Sequence, residues 1–592
     1  MDGERIGNMK NIKKILAILV VAMIVAASMT MAVSEQTKDS SIKVTGLAEG
    51  DKVTLYKVLD WVGDKATAQT WGGWAVANGF TGVIATSDAL GNIIDDLKTG
   101  YTGLTSEVAG DLSRAGATPV TGQVNVTVGA DGEYTYSPAE LGMYMAIITP
   151  ADLKTVYNPV FISADYTPGN NEWGVTEEST YYGESAAKKS TVTLEKSSTN
   201  EEDTELGTNN SEKGDTTKPG DTLTFTVKTT IPGYGNTFEH PRFFLKDTMD
   251  TLAYQQDITI KAGSKDLVKD TDYTIVESDE NHYKISFTET YLKSLKVPTA
   301  ITATYTAKVK ALPEGTYENV EKEQNTVEIQ YSHDPSTETD GKPGGDLEYK
   351  KDITNHYTFS IDANNIGGKP GAIGESMTEI IKVAVDREGN PIYSEKLVSS
   401  TVTTTETVKS PLAGAKFELK DSSGKVVGTA VSDEKGRLLF EGLDEGTYTL
   451  VETEAPTGFV KDTSEHTIVI DAVLEEKTYT EWYDQKGTWY SEAGEGRTKY
   501  EYKADELVSY TITFDGETVG SHTFDHDPEG SSEIKWSSSK SSEAPSSIHN
   551  TKGVELPSTG GIGTTIFYVG GSILVLAAAI LLVTKRRMSV EE

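Results

Sequence analysis

The sequence predicts an all-β protein: tandem antiparallel β-sandwich domains set between an N-terminal signal peptide and a C-terminal membrane-spanning segment. Three observations lead there. Short stretches of alternating apolar and polar residues recur with turn signals between them, which is the period of half-buried strands. Only 36% of the 592 residues are hydrophobic, and 28 Tyr stand against 14 Phe, a composition suited to several β-rich modules with thin cores. Finally, both ends depart sharply from this pattern and become apolar.

Length suggests about three domains at ~100–200 residues each. The formal net charge is −36. Nucleic-acid binding needs clustered Lys and Arg, so this acidic surface argues against it, while favouring solubility at high local concentration. There is no Cys and there are only 8 His. Thiol chemistry and Cys-based zinc sites are excluded, and neither metal nor cofactor is predicted. An exported β-rich chain without disulfides needs large domains or another covalent staple.

The N-terminus reads as a secretory signal over 1–32. Lys10, Lys13 and Lys14 form its basic region, 15–27 is apolar, and Thr30-Met31-Ala32 supplies small residues at the cleavage site.

The first module is expected over 33–186. Ser41-Ile42-Lys43-Val44 and 53–58 alternate as strands, 89–97 reads as a short helix, and 132–136, 142–148 and 157–163 read as further strands. Trp61, Trp71 and Trp74 are read as packing aromatics rather than as a carbohydrate platform.

The second module is expected over 187–335, with strands at 191–196, 222–227, 242–247, 301–305 and 325–331. Side chains at i and i+2 share a face. Lys196 is in phase with Val192 and Leu194, Asp247 with Phe243 and Leu245, and Asn325 with Val327, Ile329 and Tyr331. Three polar groups therefore point at the apolar face, from the first strand, an inner strand and the last. An unpartnered buried Lys is costly. An intramolecular isopeptide bond would account for all three. Burial keeps the Lys196 amine neutral and nucleophilic and keeps Asp247 protonated. Asp247 would then polarise the Asn325 amide, Lys196 would attack it, and ammonia would leave. The competing reading is a buried ion pair beside an Asn.

This module resembles the isopeptide-forming D2 domain of fimbrial backbone pilins, in 192–196, 220–227, Lys246-Asp247-Thr248-Met249 and Asn325-Thr326-Val327. Residues 336–375 are rich in Gly and read as a connector with one candidate strand at 357–361.

The third module is expected over 376–552. Pro411-Leu412-Ala413-Gly414-Ala415 and the stretch 448–459, with Glu452-Thr453-Glu454-Ala455-Pro456 at its centre, resemble a CnaB-type (SpaA-like) pilin domain and its E-box, Phe459 replacing the usual Tyr. Glu452 is in phase with Tyr448 and Leu450. The resemblance implies that Glu452 assists a second Lys–Asn isopeptide. Asn550 lies in the expected last strand. Lys382, in phase with Ile380 and Ala384, is the candidate amine, an ordinary surface Lys being the alternative. A Thr-rich insertion, 399–407, follows it.

Near the C-terminus stand Leu556-Pro557-Ser558-Thr559-Gly560, an apolar run over 562–583, and Lys585, Arg586 and Arg587. The run is long enough to span a bilayer, with the basic cluster on the cytoplasmic side. In this order the three parts resemble the LPXTG cell-wall sorting signal of Gram-positive surface proteins, so 553–592 is read as that signal.

The resemblances imply the partners. A sortase, of the class C pilus type or the housekeeping type, would cleave between Thr559 and Gly560. A Lys of another copy or of a minor pilin, or peptidoglycan, would then take the acyl group. Lys188 and Lys189 are the candidate pilin lysines, although the family's aromatic-Pro-Lys motif is absent here. The expected role is a structural, adhesive pilus subunit. A monomeric wall-anchored adhesin or minor pilin is the first alternative, and a surface glycosidase the second.

Overall fold

The computed structural model describes residues 41–61, 74–77, 79–81, 83, 106–137, 142–152, 154–163, 166–167, 172–173, 182–200, 212–339, 341–365, 377–397, 405–525, 535–541, 546–553 and 562–588. The signal segment, Trp71, the helix expected at 89–97 and the pentapeptide 556–560 lie outside them.

The N-terminal part is built on two sheets. In one, Lys52–Trp61 pairs with Gly142–Thr149, which pairs with Val160–Ser163. In the other, Ser41–Thr45 lies between Tyr134–Tyr136 and a parallel partner, Tyr182–Ala186. Trp61 sits opposite Trp74 across a strand pair. Alternation explains the cores: Ile42, Val44, Val53 and Leu55 are fully buried in one cluster, and Val58, Met143 and Met145 in a second. Helix Ser106–Arg114 packs with this second cluster through Ala109 and Leu112.

The middle part is a sandwich. One sheet runs Leu194–Asn200, Thr222–Ile231, Thr299–Val309, Thr259–Ala262, Lys265–Asp266. The facing sheet includes Gly214–Thr216, Leu347–Ile361, Val320–Ser332, Phe243–Met249, His282–Phe287 and Tyr273–Ser278 in that order. Strict alternation places Leu223, Phe225 and Val227 against Phe243, Leu245, Val327 and Ile329 in one core.

The connector expected at 336–375 is corrected here. Leu347–Ile361 is a 15-residue strand paired in register with all of Val320–Ser332. Its even residues, among them Asp352 and His356, meet the middle core, His356 lying edge-on to Phe225. Its odd residues face the C-terminal part: Ile353 joins Tyr479 and Tyr502, while Tyr357, Phe359 and Ile361 join Phe417, Leu450 and Tyr510. A strand covered on both faces shows no period-2 alternation, and its charged residues disguise it further. Asn325 consequently sits on the penultimate strand of its sandwich, not on the last.

The C-terminal part has a large sheet in the order Val426–Val431, Lys416–Lys420, Gly446–Glu454, Glu465–Tyr483, Thr498–Phe514, Glu517–Asp525, Lys535–Ser541. A smaller sheet holds Ile380–Val385 parallel to Ser546–Lys552, with Phe459–Val460 beyond. Tyr393–Leu397 pairs with Thr405–Lys409, which carries the last residues of the Thr-rich insertion. The long hairpin Glu465–Tyr483/Thr498–Phe514 reaches over the middle sandwich. There Lys351 pairs with Glu481 at 2.7 Å, and the Tyr483 hydroxyl donates to Glu348 at 2.6 Å. Helix Ile562–Met588 contains Tyr568–Arg586, of mean hydropathy 1.9, long and apolar enough to cross a membrane.

Candidate functional site: two buried lysine–acid–asparagine clusters

In the middle sandwich, Lys196 enters from one sheet and Asp247 and Asn325 from the other. Antiparallel register sets Met249 opposite Asn325 and Val327 opposite Asp247, so the acid and the amide are diagonal neighbours on one face. All three residues are 0% exposed. Lys196 Nζ lies 2.5 Å from Asp247 Oδ2 and 2.7 Å from the Tyr305 hydroxyl, and Asn325 Nδ2 donates to that hydroxyl at 2.8 Å. The amine also lies over the rings of Phe225 and Tyr305. Burial pulls the Lys196 pKa down, opposed by the Asp247 charge. Burial likewise pushes Asp247 up, opposed by Lys196. Desolvation thus drives both members of the pair toward neutrality.

Among the described residues, Asp247 Oδ1 and Asn325 Oδ1 have no hydrogen-bond partner. Two buried acceptors without a donor would be expensive, and a proton on Asp247 would convert one of them into a donor.

Tyr305 bridges the amine and the amide, and sequence reasoning missed it. Its signal was present: Tyr305 shares phase with Ile301 and Ala303, so its hydroxyl had to enter the core. Asp352 was missed too. Its Oδ2 accepts from the Lys196 backbone N–H at 2.6 Å and from Lys213 Nζ, tying the first strand to Leu347–Ile361.

The C-terminal cluster repeats the design with different strands. The parallel register places Lys382 opposite Ile548 and Ala384 opposite Asn550. Lys382 and Asn550 are 0% exposed and Glu452 is 1% exposed. The same carboxylate oxygen, Glu452 Oε2, receives Lys382 Nζ at 3.2 Å and Asn550 Nδ2 at 2.8 Å. The Asp462 backbone N–H also donates to it, at 2.8 Å. Phe417 lies under the amine. Burial lowers the Lys382 pKa, opposed by Glu452. Glu452 Oε1 and Asn550 Oδ1 again have no partner among the described residues. The surface alternative for Lys382 does not hold.

Lys188 and Lys189 are both exposed, at the seam between the N-terminal part and the middle sandwich. Lys189 opens the strand Lys189–Thr191, which pairs with Thr155–Tyr157. Its Nζ donates to Gly46 O at 3.1 Å and lies over the Tyr157 ring. Leu556, Pro557, Ser558, Thr559 and Gly560 are outside the described residues. No group of three or more His, Cys, Asp or Glu suited to a metal occurs among the described residues.

Comparison with known proteins agrees with this organisation. A family model described as the SpaA prealbumin-like fold domain matches residues 398–486, and one described as the LPXTG cell wall anchor motif matches 548–589. The trypsin-resistant surface T6 protein of Streptococcus pyogenes serotype M6 is 24% identical over 602 aligned positions, covering 97% of this chain and 99% of that protein. The bone sialoprotein-binding protein of Staphylococcus aureus is 36% identical over 101 residues, 17% of this chain and 9% of that protein. Among solved structures, the T6 backbone pilin of Streptococcus pyogenes aligns with a TM-score of 0.51 at 21% identity, covering 88% of this chain and 99% of that one. In fold the chain is similar to that backbone pilin, and its LPXTG cell wall anchor motif, followed by an apolar helix, marks a cell-wall-anchored surface protein.

Proposed function

We propose that this protein is the structural subunit of a sortase-assembled, covalently polymerised surface pilus, with each of its two larger domains locked by a self-formed Lys–Asn isopeptide bond. The observation supporting this most directly is the recurrence of one constellation, a buried Lys, acid and Asn, in two unrelated strand contexts of a wall-anchored chain. No external substrate is needed.

The chemistry balances within each cluster. The acid takes a proton from the Lys ammonium, leaving a neutral amine beside a neutral carboxylic acid. The amine nitrogen attacks the Asn Cγ, and the protonated acid stabilises the oxygen that develops negative charge. The Cγ–Nδ2 bond breaks, the proton from Nζ reaches Nδ2 by way of the acid, and ammonia departs. Positioning of this kind contributes roughly 7–11 kcal/mol to lowering a barrier. Closing the loop of roughly 130 residues between Lys196 and Asn325 stabilises by about 4–5 kcal/mol on the chain-entropy model used for disulfides.

Polymerisation would join Thr559 of one copy to a Lys of the next. Lys188 suits this role better than Lys189, whose amine already donates to a backbone carbonyl. A class C sortase would form the link, and peptidoglycan would terminate the fibre. The test is a denaturing gel of wall extracts. A high-molecular-weight ladder that disappears on Lys188→Ala supports the polymer; a single band in the unaltered protein contradicts it.

A further inference from the structure

A third lysine–acid–asparagine cluster lies between the middle and C-terminal domains, on the opposite face of the strand that holds Asn325. Lys322 Nζ is 3.0 Å and 3.1 Å from the two carboxylate oxygens of Glu506. Asn355 Nδ2 is 3.3 Å from Glu506 Oε2 and donates to the Asp505 carbonyl at 2.8 Å. Gln324 Nε2 donates to Asn355 Oδ1 at 3.0 Å. The Tyr479 hydroxyl donates to Glu506 Oε2. Asn355 is 0% exposed and Glu506 4% exposed, and the Lys322 side chain retains 11%. The register puts Lys322 opposite Tyr357 and Gln324 opposite Asn355, so amine and amide project diagonally from neighbouring strands toward a carboxylate on Thr498–Phe514.

The likeness to the C-terminal cluster is specific. In both, a single carboxylate oxygen receives the Lys amine and the Asn amide nitrogen. In both, burial lowers the Lys pKa against the attraction of the acid. One difference favours reaction here. The Asn355 carbonyl already accepts a hydrogen bond from Gln324, a donor placed where negative charge would develop during attack.

We propose that Lys322 and Asn355 form a further intramolecular isopeptide bond, with Glu506 as the proton carrier and Gln324 as a positioning residue on the amide oxygen. Glu506 accepts a proton from the Lys322 ammonium. Nζ bonds to Asn355 Cγ, the Cγ–Nδ2 bond breaks, and Glu506 relays the proton from Nζ to Nδ2. One ammonia leaves for each bond formed, and no oxidant or co-reactant is required.

The consequence is topological and rests on the two bonds proposed above. With only those two, tension arriving at Asn325 reaches the C-terminal domain through all of 325–355, the paired ends of Val320–Ser332 and Leu347–Ile361 and the loop between them. A Lys322–Asn355 bond starts three residues from Asn325 and delivers tension directly to Asn355, taking this hairpin out of the load path. Without it, peeling the hairpin would release roughly 100–110 Å of chain at ~3.3–3.6 Å per residue.

The test is a peptide map by mass spectrometry of the mature, wall-released protein, which reads each linkage separately and needs no variant. The expected result is a branched peptide joining Lys322 to Asn355, one ammonia lighter than its parts. Recovery of Lys322 and Asn355 only in separate, unmodified peptides overturns the proposal, whatever the state of the other two bonds. Glu506→Gln keeps the cluster's size and hydrogen-bonding capacity but removes the proton carrier. It should abolish this branched peptide while leaving those at Lys196 and Lys382 intact; an undiminished Lys322–Asn355 peptide in that variant overturns Glu506's role.

Discussion

At the residue scale, the energetics turn on charges that burial does not tolerate. Asp247→Ala removes the acid and leaves Lys196 as a buried amine facing an unreacted amide. Leaving one partner of a buried pair uncompensated costs about 3–5 kcal/mol, before the lost cross-link is counted. The variant is expected to retain the ammonia that the unaltered protein loses at this site, and to melt at a clearly lower temperature. Intact mass and calorimetry read the two effects; a variant lighter than the unaltered protein by the full Asp-to-Ala difference, with no ammonia retained, would remove Asp247 from the chemistry.

A second residue-scale prediction concerns pH. Asp362 Oδ1 accepts from the backbone N–H groups of Glu379 and Ile380, and its Oδ2 from that of Leu438, while Glu379 accepts from the Asp362 N–H. Burial and the neighbouring Asp362 charge push Glu379 up to about 8. His522, 3.9 Å from Glu379, is held down to about 4 by burial and stays neutral. Arg437 lies near Asp362, and Tyr510 near Glu379. A carboxyl raised in the folded state binds its proton there more tightly than in the unfolded chain. Its stabilising contribution is complete below the unfolded pKa, ~4.5, and is lost as pH rises toward about 8, at no more than ~1.4 kcal/mol per pH unit. The melting temperature of the C-terminal domain should therefore fall between pH 5 and 8, and Glu379→Gln should flatten that slope. A slope of equal size in both proteins would assign it to other groups.

The elements show what was and was not legible in the sequence. Period-2 phase pointed Lys196, Asp247, Asn325 and Glu452 inward, because their strands alternate between a buried face and a more accessible one. It left Lys382 open between core and surface, and that strand is buried over nearly all of both faces. The Leu347–Ile361 strand was not legible, since a strand pressed between two domains has no wet face. Helix Ser106–Arg114 was missed as well; its apolar residues are few, and it is positioned by contacts with the neighbouring domain. Arg114 donates to Thr237 O at 3.0 Å and Glu338 Oε2 at 3.2 Å, and a Cβ on Gly110 would collide with Thr237 O. Gly110→Ala should therefore displace the N-terminal domain from the middle sandwich, seen as a changed radius of gyration in X-ray scattering with sheet content unchanged. An identical scattering profile would mean the contact does not position that domain.

Gly436 controls another element. It has φ +77, its carbonyl accepts from the Lys382 N–H at 2.7 Å, and a Cβ there would meet Lys382 O. Gly436→Ala adds about 1–3 kcal/mol of backbone strain and shifts the strand that presents Lys382. A reduced yield of the Lys382–Asn550 peptide is the expected outcome. Full yield would show that the cluster tolerates that shift.

At the scale of the whole molecule, the proposed function makes the chain a series of covalent staples between two attachment points. Tension entering near Lys188 would meet a Lys196–Asn325 bond within a few residues, and tension leaving toward Thr559 would depart close to Asn550. The sheets between would hold such staples in place and exclude water from them. A net charge of −36 keeps such subunits soluble until they are joined. The most direct measurement is a cross-link map of the polymer released from the wall. The account predicts Thr559 of one copy joined to Lys188 of the next, with Lys196–Asn325 and Lys382–Asn550 linked within each copy. Thr559 found only on peptidoglycan, with these four internal side chains unmodified, would contradict it.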